Sequence, residues 1–67
     1  MTIATYGKNL AVDLLHWYMD GGMPFPAAKE HAIARLQWIM EEDEPDYAVC
    51  QAALHYLETL TNYVYKK

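Results

Sequence analysis

Asp20-Gly21-Gly22-Met23-Pro24-Phe25-Pro26 is the stretch that divides this chain, because two glycines followed by two prolines within six positions end one helix and start another. Glu44-Pro45 makes a second break. Between these breaks the apolar residues recur at helical spacing, and the pattern predicts an all-α, compact three-helix bundle with helices over about 5–20, 26–43 and 46–65. Neither an internal repeat nor a low-complexity tract interrupts it.

In the first segment Thr5 is the expected N-cap and Gly21 the expected left-handed residue at the C-terminus. Tyr6, Leu10, Leu14 and Trp17 form one apolar stripe, Ala11, Leu15 and Tyr18 an adjacent one, and Asn9, Asp13, His16 and Asp20 a polar seam. The second segment opens with Pro26 at its first position, where a missing N–H costs nothing. Ile33, Leu36 and Met40, with Ala32 and Ile39, are its expected core face. Trp38 falls off that stripe, on a flank with His31, Ala34 and Arg35. The third segment carries two stripes, Cys50, Leu54, Leu57 and Val64 beside Val49, Ala53, Tyr56, Leu60 and Tyr63, and leaves only Gln51, His55, Glu58 and Asn62 for water.

A chain of 67 residues reads as one small domain from Met1 to Lys67. Chains of this size bury only about 60% of the surface they expose when unfolded, and their cores are marginal without a further staple. An intrachain disulfide is excluded because Cys50 is the single cysteine, so self-association or a partner protein is the expected staple. A lone thiol, together with a first segment that lacks a basic n-region and is interrupted by Asp13, His16 and Asp20, fits a soluble protein of the cytoplasm.

Chemistry finds little support. The chain contains no serine, and Cys50 sits mid-helix on an apolar stripe with no basic neighbour in sequence to activate it. Asp13, His16 and Asp20 share one helical face at i, i+3 and i+7, which geometry would allow as a metal site, but paired His or Cys spacings are missing. No catalytic residue, metal site or cofactor is therefore expected. The net charge of −4 and the scattered or terminal Lys8, Lys29, Arg35, Lys66 and Lys67 argue against direct nucleic-acid binding, and a membrane role is not expected either.

What remains is a non-catalytic protein–protein interaction module, an adaptor or inhibitor of the size that mobile elements encode. Its expected partner-binding residues are Trp38, Arg35, His31, Tyr56, Tyr63 and the acidic run Glu41, Glu42, Asp43, Glu44. The rival readings are a purely structural homo-oligomer and an acidic mimic of DNA. If the acidic run steers a basic protein partner, changing Glu41, Glu42 and Glu44 to Gln slows association at low salt and flattens its salt dependence, as stopped-flow kinetics would read. An on-rate that does not change marks the run as a linker.

Overall fold

The computed structural model describes residues 2–42 and 47–63, which form three helices: α1 (Ile3–Asp20), α2 (Phe25–Glu42) and α3 (Tyr47–Thr59). The three-helix, all-helical expectation holds. Several boundaries differ, each for a local reason.

Helix α1 starts two residues before the expected position because Thr2, not Thr5, is the N-cap. The Thr2 backbone is extended, and its Oγ1 accepts a hydrogen bond from the Thr5 N–H at 3.2 Å. At the other end the left-handed residue is Gly22 (φ 99°), while Gly21 keeps a negative φ of −77°. The Gly22 N–H donates to the Met19 carbonyl at 3.0 Å and the Met23 N–H to the Tyr18 carbonyl at 3.3 Å, the paired bonds of a Schellman ending. Both glycines are therefore used, but only the second needs to be glycine for its backbone angle.

Helix α2 begins at Phe25, one residue before the expected Pro26, and the Ala28 N–H closes its first turn on the Pro24 carbonyl at 2.9 Å. Helix α3 ends at Thr59, well short of the expected residue 65. The Thr59 hydroxyl bonds back to the carbonyls of His55 and Tyr56, both at 3.1 Å, and the Leu60 N–H turns onto the Leu57 carbonyl. Threonine at such a position competes for the backbone carbonyls of its own helix, and a second threonine follows at position 61. Expected positions 43, 46, 64 and 65 lie outside the described residues, as does Val64 of the expected stripe.

The core is small. Its buried members are Ala11, Leu15, Ala28, Ala32, Leu36, Cys50, Ala53 and Leu57, so each helix supplies one leucine and the remaining positions are alanine or cysteine. Ile33, Ile39 and Met40, expected in the core, are half-buried around it, and Ala28 takes an inner position that their stripe did not include. On α1 the two adjacent stripes take different roles: Ala11 and Leu15 face inward, and the stripe ending in Trp17 is turned outward.

The choice between them follows from Gly7. A Cβ placed there would stand 2.4 Å from the Ala52 Cβ and 2.8 Å from the Ala53 backbone nitrogen, so α3 lies directly against the α1 backbone. Val49 borders Tyr6 and Leu10 on one side of this contact, and Tyr56 borders Lys8 and Val12 on the other, which makes Gly7 the place where α3 crosses α1. Gly7, Ala11 and Leu15 recur every four residues, so the smallest side chain marks the inward face.

Gly7→Ala tests this packing with a sign that helix propensity cannot mimic. Propensity alone would make alanine about 1 kcal/mol better in a helix interior. Overpacking against backbone costs about 1 to 3 kcal/mol or more, so the variant should melt at a lower temperature than the parent in thermal unfolding followed by circular dichroism. A higher melting temperature would remove the close crossing.

Candidate protein-binding surfaces

The residues expected to bind a partner divide among three regions. His31, Arg35 and Trp38 are exposed together on the flank of α2 turned from the core. The core side of this helix is held by Ala28, Ala32 and Leu36, and at about 100° per residue position 38 points well away from them. Trp38 retains 47% of its accessible surface, and the Arg35 guanidinium carbon lies 4.7 Å from the centre of its ring. The two are one turn apart, so the cation covers the indole face without leaving water itself, a contact worth about 0.5–1 kcal/mol at an exposed site. The His31 ring stands 5.5 Å from the Tyr18 ring, tilted by 38°, which ties the start of this flank to the end of α1.

Tyr56 and Tyr63 are elsewhere, half-buried along a shallow groove with Lys8, Asn9, Val12 and Asp13. The Tyr63 hydroxyl and His16 Nε2 share a short hydrogen bond, and their rings lie 5.5 Å apart. The segment after α3 is fixed at a second point by Lys29, whose Nζ donates to the Leu60 carbonyl at 2.8 Å. Helix α3 has no basic residue in its last turn, and the ammonium brought by α2 stands where such a residue would satisfy the terminal carbonyls. Tyr63 thus contributes to the fold as well as to a surface.

Of the acidic run, Glu41 is exposed and borders a shallow hollow with Gln37, Met40, Tyr47 and Leu54. The Glu42 side chain, Asp43 and Glu44 lie outside the described residues. The Tyr47 hydroxyl reaches the Met40 carbonyl at 3.4 Å, a long hydrogen bond that links the start of α3 to the last turns of α2.

One residue outside the expected set stands out. Trp17 keeps 76% of its accessible surface, more than Ile3, Tyr6, Trp38 or Tyr47, the other exposed large apolar side chains among the described residues. The signal was present in α1: a glycine and an alanine four residues apart marked the close-packing face, which leaves the bulkier stripe for the exterior.

Cys50 is buried in the core, a setting that disfavours the thiolate and keeps reagents out. His16, half-buried on α1, shares its hydrogen bond with the Tyr63 hydroxyl. Among the described residues no group of three or more His, Cys, Asp or Glu side chains is placed to hold a metal ion, and no helix is long and apolar enough to cross a membrane. No protein family, curated protein or solved structure matches this chain. Exhaustive treatment with a chelator should leave the melting curve superimposable on that of the untreated protein; a lower midpoint restored by a divalent ion would reveal a structural metal.

Proposed function

We propose that this chain is a non-catalytic binding module that docks on a protein target through its exposed aromatic side chains, with the acidic run at the end of α2 adding long-range attraction for a basic surface. The observation that carries the reading is the outward placement of both tryptophans on regular helix, in a domain whose largest fully buried side chains are three leucines. Indole burial is worth more than that of any residue this core does bury, and tryptophan and arginine are the residues most enriched at the energetic centres of interfaces. The flank of His31, Arg35 and Trp38 is the target-binding face. Arginine stacked on an indole gives a planar surface already ordered before contact, which lowers the entropy lost on binding.

Occupying a site on its target is the whole mechanism of such a protein. A scaffold and an inhibitor differ only in what that site otherwise does.

The test is a comparison of the full chain with Trp38→Ala. Affinity capture followed by quantitative mass spectrometry nominates a target, and calorimetry on the purified pair measures the effect. The substitution should leave the far-ultraviolet circular dichroism unchanged and weaken target binding by about 2 kcal/mol, roughly thirty-fold. Loss of the helical signal at every protein concentration would return Trp38 to the fold, and an unchanged affinity would remove the α2 flank from the interface.

A further inference from the structure

The outward stripe of α1 consists of Ile3, Tyr6, Leu10, Leu14 and Trp17, with Ile3 at 52%, Tyr6 at 49% and Trp17 at 76% exposure and the two leucines half-buried between them. Its spacings are three, four, four and three residues, so the stripe reads the same in both directions about Leu10. A palindromic apolar row fits a second copy of itself when the two helices run antiparallel. We propose that α1 closes a two-fold symmetric, antiparallel homodimer with Leu10 on the axis, in which residue i of one copy faces residue 20 − i of the other. The proposal rests on the reading that this chain acts by binding through its apolar faces, and it assigns to α1 an occupant different from that of the α2 flank.

Three observations select this occupant. In the antiparallel register Trp17 meets Ile3 of the second copy and Leu14 meets Tyr6, each a large ring against an aliphatic side chain, and the contact closes on itself with no face left over. A parallel pair would instead place Trp17 on Trp17.

Charge makes the same choice. Asp13 and Asp20 border the stripe, and α1 has no acidic residue in its first turn and no basic residue in its last. Antiparallel pairing brings the acidic C-terminal half of one helix to the N-terminal end of the other, where the helix dipole favours negative charge. A parallel pair would set Asp13 beside Asp13 and Asp20 beside Asp20, like charges at close range.

Area is the third. With aromatic side chains burying about 150–250 Å² when fully covered, the stripe at these exposures offers roughly 500 Å² per copy. Two copies then bury about 1,000 Å², the lower bound for a specific interface, so the dimer should be reversible and depend on concentration.

Sedimentation equilibrium on the full chain from about 1 to 200 µM tests it, with the mass expected to rise from 7.8 kDa toward twice that value. Trp17→Glu should raise the dissociation constant at least ten-fold while leaving circular dichroism unchanged, and Ile3→Glu should act in the same direction. Orientation is read separately by a spin label on Ala4→Cys, an exposed helical position, with buried Cys50 left in place. The antiparallel register separates the two labels by twelve residues along the axis, about 18 Å at 1.5 Å per residue, before the width of the pair is added. A parallel pair would hold the labels side by side.

A monomer at every concentration, a dimer indifferent to both glutamate variants, or labels held close together would each overturn the proposal. A monomer whose target binding still depends on Trp38 would remove the dimer alone and leave the binding reading standing. A dimer that behaves as described but has no Trp38-dependent target would do the reverse.

Discussion

The approach of α3 to the α1 backbone at Gly7 is the constraint on which the arrangement depends. With Ala52 and Ala53 at the crossing and no Cβ on residue 7, the two helices pack at a distance that larger side chains would forbid. That choice sets the rotation of α1 about its own axis. Once Gly7, Ala11 and Leu15 point inward, the row from Ile3 to Trp17 must lie on the flank, because the two stripes are separated by roughly a quarter turn.

Close crossing also limits what the interior can hold. Among the described residues three leucines, four alanines and a cysteine make up the buried apolar set beside Gly7, and larger side chains gather half-covered around it. Polar contacts at the rim then have structural work to do: Lys29 satisfies the carbonyl after α3, and Tyr63 reaches His16 from the segment beyond. Each spans a long sequence separation, so together they hold the chain after Thr59 against the first two helices. A compact, alanine-rich interior and a surplus of aromatic surface are two results of the same packing, and the surplus is what binding can use.

Much of the architecture was legible in the residues. Paired glycines, the prolines and helical spacing identify three helices, and the position of Trp38 off the Leu36 row places it outside. The end of α3 was harder to read, because the apolar pattern continues past Thr59 while its hydroxyl bonds to carbonyls of the preceding turn. Spacing reports which residues can share a face, not where the backbone stops being helical. Which of the two α1 stripes faces inward was left open for a related reason. Two adjacent apolar stripes on one helix look equivalent when size is taken as the guide to burial, and the smaller stripe is chosen only when a neighbouring helix comes close enough to need it. The link between Tyr63 and His16, 47 positions apart, had no local signal at all.

Both indoles in water before binding, and at least one withdrawn from water after it, is the central claim. Trp17 and Trp38 are the only tryptophans, so intrinsic fluorescence with a soluble quencher reads the claim directly. In the dilute chain the account predicts water-like, red-shifted emission that the quencher reaches freely, and a blue shift with loss of quenching as protein concentration or target is raised. Blue-shifted, quencher-protected emission at the lowest concentration, from a chain with intact helical circular dichroism, would show the indoles packed within the isolated fold and would contradict it.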